Sequence, residues 1–218
     1  MLVYDLPQGS DAWLRLRLGV PSTSSFGKII TPSGKRSSQF TEYCNELLAE
    51  LILGEREQFF KSPAMERGNE LEPYAVQHYE ELTGRKTKVV GFVTTDDSRI
   101  GCSPDRLVGT DGLLEVKCPL QKKHVSNLVS GDIDKQYYPQ VMGQLMMTGR
   151  QWVDWMSYHP DMPASIVRLE RDAEFISTLD DLLNEFIEEM DKKINTLETK
   201  GVKFAIQVNK RPLKVEVV

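Results

Sequence analysis

Cysteine is scarce in this chain. Cys44, Cys102 and Cys118 are odd in number, widely spaced and without a CxxC pair. They make neither a disulfide framework nor a paired-thiol zinc or redox motif, and are expected to be reduced and structural. Histidine is as sparse: His78, His124 and His159 form no His-x₃-His pair, so a histidine zinc site is not expected. Long apolar runs are missing too. The longest charge-free stretch, Gln136 to Gly149, contains Pro139 and falls short of the roughly 18 apolar residues of a spanning helix, which argues against a membrane. The opening MLVYDLPQGSD carries an acid at Asp5 and neither a basic nor an apolar region of the secretory kind, so a cytoplasmic location is expected.

Repeats, low-complexity tracts and long Pro/Gly/Ser-rich linkers are also lacking. The chain therefore reads as one domain over 1–218, with a core of about 11–197 and an ambiguous tail from 201. With 40% of its 218 residues hydrophobic and 27% charged, it can fill a core, and disorder is excluded. The net charge of -5 looks unfavourable for a polyanion partner. The deficit is local, however. Glu170 to Asp191 holds nine acids against Arg171, and everything outside that segment sums to +3.

Apolar spacing predicts helices over Asp11–Leu18, Ser22–Ile30 and Gln39–Leu53, the last stopped by Gly54. Another starts at Ser62 as N-cap with Pro63 at N1 and ends at Gly84, its stripe being Ala64, Leu71, Ala75, Tyr79 and Leu82. Short β-rich runs follow at Lys88–Thr95, Arg99–Cys102, Arg106–Gly109 and Leu113–Lys117, with Gly109 to Gly112 as a hairpin tip. Helices at about Lys122–Ser130 and Tyr137–Thr148 precede strands Gln151–Tyr158 and Ser165–Glu170; Trp152 and Trp155 are expected to pack there. The chain then runs into a long amphipathic helix, its seam from Phe175 to Leu197 apolar and its acids opposite.

The chemistry concentrates in Cys102-Ser103-Pro104-Asp105 and, ten residues on, Glu115-Val116-Lys117. Strand alternation puts Glu115 and Lys117 on one face while Leu114 and Val116 point into the core. If Val108 faces Leu113 across the hairpin, Asp105 falls beside Val116. Asp105, Glu115 and the Val116 carbonyl then offer hard oxygen ligands to a divalent cation such as Mg²⁺, with Lys117 placed to act on water or on phosphate charge.

Pro104-Asp105 with Glu115-x-Lys117 resembles the PD-(D/E)xK nuclease signature, and CSPD…LLEVKCP is similar in particular to the lambda-exonuclease and YqaJ-type viral recombination nucleases. Gly68-Asn69-Glu70-Leu71-Glu72 resembles that family's GxxxE helix, which makes Glu72 a further metal ligand. Trp13 to Ser24 resembles its N-terminal W-x-x-x-R-x-G element, which assigns Arg17 and Ser24 to the 5′-phosphate of a DNA end. Gln140 falls where the family places a glutamine near the metals; Gln144 and Tyr137 are weaker matches. Relatives with an iron–sulfur cluster need four cysteines, which this chain lacks.

The resemblance implies an α/β fold of the restriction-endonuclease-like kind, a central mixed sheet flanked by helices. It also implies Mg²⁺-dependent hydrolysis, with Mn²⁺ as substitute and two ions per site, of one strand of duplex DNA from its 5′ end, leaving a 3′ single strand. A strand-annealing recombinase partner, a homotrimeric ring and, for a phage or prophage protein, the host bacterial cytoplasm come with it. The alternatives are an endonuclease or junction resolvase on the same core, and a DNA-binding scaffold without turnover. Residues 31–61 match the family poorly, so no DNA contacts are assigned there. For the ring, the acidic segment would face outward while Lys35, Arg36 and Lys61 face a channel.

Overall fold

The structure, a computed structural model, describes residues 1–56 and 63–207. The N-cap expected at Ser62 and the cation at Lys61 lie outside these. A five-stranded sheet forms the centre. Its order is β2 (Thr87–Lys88), β5 (Arg106–Val108), β6 (Gly112–Lys117), β7 (Trp152–Ser157) and β8 (Ser165–Glu170). β6 and β7 run parallel while the other neighbours are antiparallel, so the sheet is mixed as expected. A second sheet joins β1 (Leu2–Tyr4), β3 (Phe92–Thr94) and β4 (Gly101–Cys102). The run expected as one strand from Lys88 to Thr95 is thus divided between two sheets, with Gly91 at the break.

Helices cover both faces of β6. On one, Ala75, Val76 and Tyr79 of α3 (Pro63–Thr83) pack on Leu114 and Val116. On the other, Val141 and Leu145 of α5 (Tyr138–Thr148) share a larger core with Leu113, Val153 and Trp155. α2 (Phe40–Leu53) and the long α6 (Ala173–Thr199) close that core, and Phe186 sits against Phe40 and Tyr43. The α6 seam is buried at Phe175, Ile176, Leu179, Leu183, Phe186 and Met190, as its spacing predicts. Leu82, expected in the α3 stripe, is exposed and Val76 is buried instead.

Both faces of β6 are therefore dry. Glu115 is a buried acid, not one on a solvated face, and must find partners inside the protein.

Three local readings are corrected. Ser22–Ile30 is a 3-10 helix over Thr23–Lys28, held close to α5 because a Cβ at Gly143 would come within 2.4 Å of Phe26. α1 ends early, at Asp11–Leu16. The β5–β6 register is one residue off: Val108 faces Gly112 and Leu107 faces Leu113. The connection is shorter than expected, with Gly109 at φ +54°, a conformation that favours glycine, so the ladder closes sooner. The acidic segment also differs from the channel picture. Arg36 pairs with Glu185 and, at 3.2 Å, with Glu189, so this cation is tied to the acidic helix.

Candidate functional site

α3, the Asp105 bend and the end of β6 enclose a cleft of about 400 Å³. Gly68, Asn69 and Glu72 line it from α3, Asp105, Val116 and Lys117 from the sheet, and Leu120 and Tyr137 from beyond β6. A Cβ at Gly68 would meet nothing within 4 Å, which leaves that wall open one turn from Glu72. Pro73, inside α3, lacks the N–H that would bond the Asn69 carbonyl on the same wall.

Glu115 is 1% exposed and is held on both oxygens. Its Oε1 accepts from Lys117 Nζ and from Gln140 Nε2, each at 2.5 Å; its Oε2 accepts from Gln144 Nε2 at 2.7 Å. Gln140 and Gln144 are one helical turn apart on α5, so one helix face caps the carboxylate twice. Gln144 Oε1 is buried without a partner. Lys117 Nζ lies 4.8 Å from the Tyr137 ring centroid, over its face.

Asp105 Oδ2 accepts from the Val116 N–H at 2.7 Å, so the expected juxtaposition survives the register correction. Burial raises the Asp105 pKa well above the usual carboxylate range; Glu115 and Glu72 push it further, against Lys117 and the Val116 N–H. Burial opposes the Lys117 charge, but Glu115 and Asp105 outweigh it and its pKa is raised. The site thus gathers three acids around one lysine, and this crowding and burial together disfavour the charged form of Asp105. Glu72, the third acid, is engaged by Arg106 at 2.8 Å. Among the described residues, no three His, Cys, Asp or Glu groups form a ready-made metal cluster. In this side-chain arrangement the acids are adjacent, each occupied by a protein donor. Their chemistry, hard carboxylate oxygens crowded together, fits a divalent cation.

A second polar cluster forms around Arg17. Arg17 is 9% exposed; its Nη2 donates to Ser22 Oγ at 3.0 Å and Ser24 Oγ at 3.2 Å, and its guanidinium stacks 4.1 Å from the Trp13 ring. Nε has no partner. Burial, and then the charge of Arg56, lowers the Arg17 pKa to about 10. Arg56 is itself held by Glu50 at 2.7 Å. Ser24 is exposed and Ser22 buried, so the pair leads from solvent to the guanidinium. Arg17 is thus not a solvated helix charge.

The structure thus brings Asp105, Lys117, Glu72 and Val116 to one cleft, with Glu115 and Gln140 hydrogen-bonded behind Lys117, and joins Arg17 to Ser24 separately. Sequence reasoning missed Ser22, Arg56 and Arg106. It also missed Arg67, which donates to the Cys118 and Pro119 carbonyls at 3.0 and 3.2 Å and so holds the turn after Lys117. Gln144, the weaker match in the sequence, is on the Glu115 carboxylate, as its i+4 spacing from Gln140 allows.

A mixed sheet whose middle strand carries a buried acid and a lysine beside a carboxylate-lined cleft suits a nuclease, and solved nucleases share the fold. An alkaline exonuclease from Laribacter hongkongensis is similar with a TM-score of 0.80 at 31% identity, over 88% of this chain and 98% of that one. Its complex with dAMP gives 0.80 at 32% over the same shares. A phage-related exonuclease from Haemophilus somnus 129PT, at 16% identity and a TM-score of 0.67 over 82% of this chain and 96% of that one, shares the fold. The YqaJ-like viral recombinase domain model matches residues 12–151, and the chain belongs to that family. No curated protein matches the sequence.

Proposed function

We propose that this protein is a Mg²⁺-dependent exonuclease that degrades one strand of duplex DNA from its 5′ end and leaves a 3′ single strand for recombination. The observation that carries this reading is the doubly capped Glu115 beside Lys117 and Asp105, together with a buried arginine faced by two serines. Glu72, Asp105, Glu115 and the Val116 carbonyl are the groups that would hold the metal, with Mn²⁺ as a substitute and room for two ions. A divalent cation bound there would lower the pKa of a water and neutralise phosphoryl charge.

The chain's own residues do the rest. Lys117, kept positive by its two carboxylates, places a charge beside the scissile phosphate. Gln140 and Gln144 fix the orientation of Glu115, and Tyr137 covers Lys117. Arg17, Ser24 and Ser22 receive the terminal 5′-phosphate through charge-assisted hydrogen bonds and so set the register of the strand. The dAMP complex of the Laribacter hongkongensis enzyme supports a mononucleotide-sized site in this fold. A strand-annealing recombinase partner and a homotrimeric ring belong to the same proposal.

The test uses linear duplex with 5′-phosphate, linear duplex with 5′-hydroxyl and closed circular duplex, each with Mg²⁺ or EDTA. Degradation of the linear forms only with Mg²⁺, fastest from phosphorylated ends, is the expected result. Cutting of the closed circle would establish the endonuclease alternative, and binding without any hydrolysis the scaffold.

A further inference from the structure

Trp13 bridges Arg17 and the loop that leads to Asp105. Its ring covers the Arg17 guanidinium at 4.1 Å, and its indole Nε1–H donates to Ser103 Oγ at 3.1 Å. Ser103 lies two residues before Asp105, and its hydroxyl donates onward to the Gly91 carbonyl at 2.8 Å. The hydroxyl therefore has its proton committed and a lone pair filled, which fixes its rotor. Gln8 clamps the same loop from the N-terminal segment, its Nε2 donating to the Pro104 and Val90 carbonyls, both at 3.1 Å. An edge contact between Trp13 and Phe92, with ring centroids 6.5 Å apart, anchors the indole to β3. The bend carrying Asp105 is thus held by side chains from the segment that also carries Arg17.

We infer that Trp13 is a positioning residue that couples the 5′-phosphate pocket to Asp105, so that an occupied pocket sets the acid for turnover. The inference rests on the end-reading role proposed for Arg17. A phosphate drawn to Arg17 acts on the guanidinium that the indole covers, and the same indole holds Ser103. The stack and the hydrogen bond are one rigid body, so a shift at one end is felt at the other. Coupling between sites is reciprocal: a phosphorylated end should then tighten metal binding as well as accelerate the reaction.

The experiment compares wild type, Trp13→Phe and Ser103→Ala on linear duplexes ending in 5′-phosphate or 5′-hydroxyl. Phenylalanine keeps a ring over Arg17 but has no N–H; Ser103→Ala removes the acceptor. Two readouts are taken: kcat and KM separately with Mg²⁺, and calorimetric Ca²⁺ affinity with each duplex. In wild type the phosphate should raise kcat and tighten Ca²⁺. In Trp13→Phe the phosphoryl-to-hydroxyl ratio of kcat should fall by about fivefold or more, at the lower end of typical coupling, and the gain in Ca²⁺ affinity should be lost. KM for phosphorylated ends should move by less than about twofold, because the Arg17 charge is intact.

Ser103→Ala should match it, and the double variant should be no worse than either single, since both break one bond. An equal fall of kcat on both kinds of end, additive losses in the double variant, or an unchanged ratio would overturn the coupling while leaving end recognition standing. A wild-type enzyme indifferent to the phosphate would overturn end recognition and the coupling with it.

Discussion

Glu115→Gln should remove turnover while leaving the fold nearly intact, and the structure says why the two separate. Glu115 accepts three hydrogen bonds, so an amide of the same shape turns one acceptor into a donor facing Gln140, Lys117 or Gln144. With the new NH₂ at the Oε2 position, a half-turn of the Gln144 amide presents its unpartnered Oε1 as acceptor and repairs the clash. What is left is a Lys117 without its ion-pair partner. The loss should sit within the range for an unsatisfied buried polar group, about 1–3 kcal/mol, which for a chain of this size lowers the Tm by about 2–12 °C. Turnover on phosphorylated linear duplex, followed by release of acid-soluble nucleotide, should fall on the order of 10³ or more, about 4 kcal/mol of transition-state stabilisation. The metal readout is independent of catalysis: Mg²⁺ should raise the Tm of wild type and not of the variant. More than a tenth of wild-type activity, or an undiminished Mg²⁺ stabilisation, would refute the assignment of Glu115.

Lys117→Ala should keep Mg²⁺ stabilisation, measured by thermal shift, and lose turnover; loss of both would make Lys117 an organiser of the acids instead. Arg17→Ala should slow phosphorylated ends about 10- to 100-fold more than hydroxyl ends, the worth of a hydrogen bond to a charged group; an equal loss on both would mark Arg17 as structural. Asp105 gives a pH signature without metal. Because its folded pKa is raised above the ordinary 3.8, the folded chain holds a proton that the unfolded one has released. Its contribution to stability is complete below that value and is lost as pH rises through the raised one. In EDTA, the Tm of Asp105→Asn minus that of wild type should therefore climb from pH 4 upward, and a flat difference would remove the argument. Light scattering at micromolar concentration should give about three times the 24.8 kDa chain mass if a ring forms, with processivity that outlasts the salt sensitivity of binding; a monomer would exclude it.

Much of the fold could be read in advance because period and punctuation agree. β8 was bounded correctly at Ser165 and Glu170, and α6 declared its seam through ten apolar positions at helical spacing. Failures fell where tertiary packing overrides local pattern. Thr23–Lys28 is rich in Ser, Thr and Gly, weak α-helix formers, and forms a 3-10 helix packed closely on α5 at Gly143. Lys88–Thr95 is β-rich throughout, yet nothing local says that it serves two sheets. The three-residue β1 is too short to carry a periodicity.

The site shows the same division, for an electrostatic reason. Glu115 and Lys117 could be placed together from alternation, since a period of two needs no tertiary information. Their burial could not. An ExK on a half-exposed strand would be a surface pair of little consequence. The same three residues on a strand covered by α3 and α5 are a desolvated acid that the protein must satisfy with Lys117, Gln140 and Gln144. Those partners come from a later strand position and a helix more than twenty residues on, chosen by the β6–β7 parallel crossover that carries α5 over the sheet. Arg17 follows the same logic in reverse. Its charge looked solvated because α1 reads as a surface helix, whereas the turn after it folds Ser22 and Ser24 back onto the guanidinium and buries it. In both cases the residue type was visible in the sequence and the desolvation that gives it a chemical use was not. A buried charge with its neutralising partner only partly supplied is the physical difference between a motif and a site, here visible in the buried, crowded carboxyl of Asp105 and the unpartnered Nε of Arg17.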